Sequence, residues 1–169
     1  MRKVEVVPPD RNWRDIFETE STQLAVAFGD NSIAIHHIGS TSIPTIYAKP
    51  IIDILVAVKD IEKVDDRNTE IAALGYVAMG EFGIAGRRFF RKDNERGSRT
   101  HHVHTFETGS PQIDRHLAFR DYMRSHPETA REYSQIKQQL AQKYPDDIES
   151  YMNGKAGFIK EIDRKAADW

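Results

Sequence analysis

Asp53 interrupts an otherwise apolar run, IIDILVAV, at residues 51–58. A carboxylate in such a run is costly unless it is paired, hydrogen-bonded or bound to a metal. It either anchors a neighbouring loop or holds a ligand. Upstream lie Gly39, Ser40, Thr41 and Ser42. Glycine lets backbone approach a ligand closely, and the hydroxyls and amides beside it can donate to a phosphate. A plain polar turn would look the same. A Gly-Ser ahead of a strand with a central Asp, with Lys49-Pro50 between them, is a stronger pattern than Gly-Ser alone. His102 and His104 sit two apart in THHVH, so on a strand they share a face that His101 and Val103 do not. If that face adjoins Asp53, two imidazoles and one carboxylate converge, a donor set suited to manganese, iron or zinc. The same histidines could serve as a general base, donate to a phosphate, or be hydrogen-bonded sheet residues. One of His36 and His37 is expected to face the same cleft.

Cations flank these groups. Lys49 directly precedes the Asp53 run. In GRRFFRK, Arg88, Phe90 and Lys92 share one strand face and Arg87, Phe89 and Arg91 the other. Guanidinium forks match phosphate oxygens. Taken singly, each position also fits a solvated strand face; four together are more suggestive. Arg99, beside the histidines, could reach the same cleft.

These residues need a sheet to hold them. Strands are expected near residues 3–7, 33–38, 51–58, 76–79, 87–91 and 101–106, the 51–58 run being apolar enough for a strand buried on both faces. Asp10 is expected to cap a helix whose apolar face carries Trp13, Ile16, Phe17, Leu24 and Ala27, closed near Gly29. Asp60 is expected to cap a second helix, ended by Gly75. DNERGSR reads as a hairpin loop. From Pro111 the pattern turns helical, with helices expected at about 112–125, 127–143 and 147–166 and prolines suited to two first turns. Tyr133 and Lys137, like Tyr151 and Lys155, lie one turn apart and read first as packing and salt-bridge residues. The expected class is α+β, or mixed α/β: a mixed sheet of four or five strands at about 1–110, with flanking helices, and a helical half at 111–169, in one domain.

Composition narrows the function. The chain has 169 residues, no cysteine and a net charge of −2. That excludes a disulfide, a thiolate nucleophile and cysteine-bound zinc, and gives no case for a nucleic-acid partner. No apolar run has the length of a membrane span, and the opening lacks a signal-peptide pattern, so a cytoplasmic location and no membrane partner are expected.

HIGSTSIP followed by AKPIIDILV resembles the GrpB family, a branch of the nucleotidyltransferase-fold proteins. Trp13, GRRFFRK, THHVH, FRDYMRSHPETAREYSQIK and YMNGKAGFI agree, so the resemblance covers most of the chain. It implies a nucleotidyltransferase-like sheet in which the Gly-Ser loop holds a triphosphate and an acidic pair holds magnesium. The pair should fall at positions 53 and 55, but position 55 is Leu, and neither Glu81 nor Glu107 matches a motif for a third carboxylate. A lone aspartate is a poor magnesium site. The leading expectation is metal-dependent transfer of a nucleotidyl group from a nucleoside triphosphate to an acceptor. Asp53 would hold Mg2+ or Mn2+ with His102 or His104; Gly39, Ser40, Thr41, Ser42, Lys49 and Arg88 would hold the phosphates. The alternatives are a non-catalytic module binding a nucleotide or phosphate on the same fold, and a transition-metal enzyme built on Asp53, His102 and His104.

Overall fold

In the computed structural model, which describes residues 3–169, the chain folds around one five-stranded mixed sheet. The strands are β1 (Ser32–Ile38), β2 (Ile52–Val58), β3 (Tyr76–Ala78), β4 (Arg88–Asp93) and β5 (Arg99–Glu107), in the spatial order β1-β2-β5-β4-β3. Only β2 and β5 pair in parallel; β1 joins β2, and β3, β4 and β5 form a meander, all antiparallel. The helices are α1 (Asn12–Phe28), α2 (Asn68–Ala72), α3 (Pro111–Ser125), α4 (Pro127–Lys143) and α5 (Ile148–Asp168). None is long and apolar enough to cross a membrane.

Alternation along β2 decides which side the chemistry faces. Ile52, Ile54, Val56 and Val58 turn toward α1 and pack with Trp13, Leu24, Ala27, Phe28, Phe90 and Val103. Leu55 turns the other way, against Ile38, Phe106 and the α3 residues Ile113 and Leu117. Both faces of β2 are therefore covered, as its apolar run requires. Asp53, on the Leu55 side, is the one β2 residue that is only partly buried. A third cluster, including Ile43, Ile46, Tyr122, Tyr133 and Ile162, ties the loop after β1 to α3, α4 and α5.

Several elements differ from expectation. The 3–7 segment contributes only an isolated bridge, Val7 with Ala48, before Pro8 and Pro9 remove further donors. Asp10 receives the Asn12 amide at 2.8 Å, two residues ahead of the first helical turn. Ile16 is 42% exposed; the buried stripe of α1 runs through Trp13, Glu20, Leu24 and Ala27 instead. Glu20 lies there because Lys92 and the Tyr76 hydroxyl reach it across the sheet. The helix expected after Asp60 is mostly a 3-10 stretch, Glu62–Arg67, followed by the short α2. Between α4 and α5, Gly154 permits close contact: a Cβ there would lie 2.5 Å from a Leu140 methyl.

Candidate functional site

The parallel pairing of β2 with β5 sets Asp53 opposite His102 and Leu55 opposite His104. Period-two alternation then brings both imidazoles to the Asp53 face. His102 Nδ1 lies 3.3 Å and His104 Nε2 3.4 Å from the same oxygen, Asp53 Oδ1. The outer ring nitrogens meet arginines: His102 Nε2 lies 3.4 Å from Arg99 Nη1, and His104 Nδ1 lies 3.3 Å from Arg87 Nη1. An arginine only donates, so the outer nitrogens accept and the inner ones carry the protons that go to Asp53. Burial pushes the Asp53 carboxyl pKa up, but the hydrogen bonds from both histidines outweigh it and hold the group well below the usual carboxylate range.

The Gly39–Ser42 turn leans on this carboxylate. Gly39 has φ 72°, and a Cβ there would lie 2.6 Å from Asp53 Oδ2. No other residue permits that approach. Burial raises the pKa of the Tyr133 hydroxyl on α4, and the Ser40 side chain acts against that rise. Thr41 and Ser42 are buried and their hydroxyls turn inward, Thr41 donating to the Ile51 carbonyl at 3.1 Å and Ser42 to that of Gly39. Of the three hydroxyl residues in the turn, only Ser40 lines the Asp53 cavity.

That cavity, about 280 Å3, lies between the sheet and the helices, and the far wall comes from α4 and α5. Lys137, Tyr151 and Lys155 line it together with Ser40, Lys49, Asp53 and His102. Lys137 is 1% exposed, its Nζ has no hydrogen-bond partner among the described residues, and the amine lies 4.5 Å above the Tyr133 ring. Burial, with Lys155 nearby, pulls its pKa down from 10.5 to about 6. Burial lowers the Lys155 pKa too, opposed by the Asp53 charge. The Tyr151 ring carries two amino groups, Lys49 at 5.1 Å and Lys155 at 5.2 Å, while its buried hydroxyl has no hydrogen-bond partner among the described residues. Unpartnered amine and hydroxyl groups at this depth are costly in a purely structural role.

Some predicted residues meet here and others do not. Asp53, His102, His104, Gly39, Ser40 and Lys49 come together. Arg88 does not: it lies on the opposite sheet face and holds Asp65 through two contacts, at 2.8 and 3.3 Å. Its neighbour Arg87 takes the inward place, clamped by the carbonyls of Glu81 and Phe82 and lying over Phe89, which packs against both histidines. His36 and His37 line a different cavity beyond β1. Leu55 is fully buried against Ile38 and Phe106, so position 55 offers the cavity no metal ligand. Glu81 and Glu107 are spent on the amides of Gly86 and Ile61. Lys137, Lys155 and Tyr151 read first as packing and salt-bridge residues in the sequence, with covering the cleft as the alternative, because same-face spacing on a helix marks either role equally well. Among the described residues no ion pair joins either Tyr-Lys unit to a carboxylate.

The ligand atoms of Asp53, His102 and His104 all lie within 4.8 Å of one another. Two nitrogens and one oxygen fit manganese, iron or zinc better than magnesium, which prefers oxygen ligands throughout. Coordination would require the inner ring nitrogens to be unprotonated, so the outer ones would carry hydrogen toward Arg87 and Arg99.

Known proteins place this arrangement in context. The chain is 49% identical to the UPF0157 protein YqkA of Bacillus subtilis over 168 residues, which is 99% of this chain but 48% of YqkA, so it spans about half of that relative's length. It superposes on the crystal structure of the conserved protein GrpB from Enterococcus faecalis with a TM-score of 0.92 and 47% identity, covering 96% of each chain. A structure of Cid1, an RNA terminal uridylyl transferase, aligns with a TM-score of 0.50 at 12% identity over 79% of this chain and 44% of Cid1, a likeness of nucleotidyltransferase-like fold alone. The GrpB protein family matches residues 3–165, and the chain belongs to that family.

Proposed function

We propose that the chain binds a nucleoside triphosphate across the Asp53 cavity and transfers its nucleotidyl group to an acceptor. The observation that carries this reading is the unpartnered amine of Lys137, buried in the same cavity as Asp53 and His102. Lysine amines on one wall face an Asp-His-His set that would hold a cation on the other, and a phosphate chain with its metal would satisfy both. Asp53, His102 and His104 would hold the divalent ion, with Mn2+ favoured over Mg2+ by the donor set. When bound, such an ion supplies charge neutralisation at the phosphate oxygens. Lys137, Lys155 and Lys49 hold the phosphates, and Ser40 adds a hydroxyl donor. The acceptor's oxygen bonds the α-phosphorus as it gives up its proton, and pyrophosphate leaves. An anion in the cavity favours a charged Lys137, which then offsets the charge gathering on the leaving group.

Leu55 favours a second reading, a nucleotide-binding module without turnover, because among the described residues Asp53 alone brings a carboxylate to the cavity. A thermal-shift panel of nucleoside triphosphates with and without Mn2+ or Mg2+ separates the two when combined with pyrophosphate release. The transferase reading expects a Mn2+-dependent shift lost in Asp53→Asn, with pyrophosphate released when an acceptor is present. A shift independent of metal, with no pyrophosphate from any acceptor, selects the binding module. No shift with any nucleotide refutes both.

A further inference from the structure

A second cavity, about 780 Å3, opens along the free edge of β1 between α1 and α3. It shares no lining residue with the Asp53 cavity. Four of its residues are arginines: Arg11 and Arg14 from the start of α1, Arg120 and Arg124 from α3. Two lining carboxylates, Asp10 and Glu18, leave the cations in excess, and Glu18 is engaged by Arg14 at 3.3 Å.

The two α3 arginines are held in place by backbone. Arg120 donates to the His37 carbonyl at 3.2 Å, and Arg124 Nε donates to the Ser42 carbonyl at 2.9 Å. These contacts straddle the Gly39 turn from behind. Arg120 also meets Asp121, but Arg124 forms no ion pair among the described residues. Its surroundings are cationic: after burial, the charges of Arg120 and Arg14 act to lower its pKa, against Asp121. Four arginines against two lining carboxylates leave an excess of positive charge that an anion can balance. Beside them is a surface for an organic group. Phe17 and His37 stack with centroids 4.8 Å apart and planes 7° apart, and Ile35 and Pro44 extend that surface.

We propose that this cavity is a second ligand site, taking a small molecule that carries a phosphate monoester. The phosphate lies among Arg14, Arg120 and Arg124, whose forked donors suit an anion with several oxygens. The organic part lies on the Phe17–His37 stack. The volume fits a ligand of nucleotide or sugar-phosphate size. The site stands independently of any role for the Asp53 cavity.

Phenyl phosphate combines both required groups, and benzoate keeps the ring while replacing phosphate by carboxylate. Calorimetric titrations at low ionic strength would use the full chain as wild type, Arg14→Glu, Arg124→Gln and Lys137→Met. Arg14 is 84% exposed at its side chain, so its charge reversal leaves the fold intact even if loss of the Arg124 clip does not. Expected are phenyl phosphate binding to wild type and to Lys137→Met with equal affinity, and a loss of about tenfold in each arginine variant that folds. Benzoate should bind more weakly. Absence of binding to wild type would overturn the proposal. So would loss of binding in Lys137→Met with retention in Arg14→Glu, which would place the anion in the Asp53 cavity. Equal affinity for benzoate would refute the assignment to phosphate.

Discussion

Replacing Lys137 by methionine should stabilise the fold while removing triphosphate binding in the Asp53 cavity. The amine is 1% exposed, has no hydrogen-bond partner, and has a pKa pulled down to about 6 by burial and Lys155. In the unfolded chain the same amine titrates near its ordinary 10.5. Between these values the unfolded state binds the extra proton, so wild-type stability rises with pH across the window. Read downward, stability is progressively lost as pH falls from about 10.5 toward 6, and below 6 both states are protonated and the loss stops. At pH 7 the displaced pKa corresponds to an upper limit of roughly 5 kcal/mol. Relaxation and water reaching the cavity reduce this, and about 2–3 kcal/mol is expected. Methionine keeps the stem volume and cannot titrate. Lys137→Met should therefore raise the melting temperature at pH 7 by about 4–12 °C, with a gain that grows toward pH 6 and fades above pH 10. Denaturant unfolding at pH 6, 7, 8 and 9 measures it, and a triphosphate titration of the same protein reads the loss of binding. A variant less stable than wild type at pH 7, or a gain that does not change with pH, would refute the argument. So would a stabilised variant that still binds triphosphate at wild-type affinity, because the amine would then have no ligand.

Gly39→Ala should destabilise the chain by about 2–4 kcal/mol, combining a strained positive φ with the Cβ contact on Asp53; unchanged unfolding in urea would show that the turn is not held against the carboxylate. Arg99→Gln should tighten Mn2+ binding severalfold in calorimetry, on the order of fivefold, because an amide oxygen can accept the outer N–H of His102 where a guanidinium cannot. Unchanged or weaker binding would argue against metal coordination by that ring. Leu55→Asp restores the acidic pair in sequence, but it places a carboxylate against Ile38 and Phe106 and should cost about 4 kcal/mol or more. A folded variant of wild-type stability would mean that position 55 reaches the cavity after all.

The central part of the site was legible because it is local. Asp53 is conspicuous in an apolar run, and the two-residue period of a strand puts His102 and His104 on one face wherever that strand lies. Family resemblance carried the sheet type. What a single strand cannot reveal is which of its faces meets the site. Arg87 and Arg88 are adjacent and chemically alike, and only the pairing of β4 with β5 turned Arg87 to His104 and sent Arg88 to Asp65. The turn hydroxyls were equally undecided until Thr41 and Ser42 were taken up by nearby carbonyls. The far wall was the least visible. Lys137 and Lys155 lie 84 and 102 positions after Asp53 in the chain, on helices whose one-turn spacings serve packing as readily as binding. Their convergence depends on how α4 and α5 dock, through contacts such as Gly154 on Leu140. Helical periodicity states which side chains share a face; only packing between distant segments determines what that face meets, and so whether a buried lysine is a core residue or one wall of a binding site.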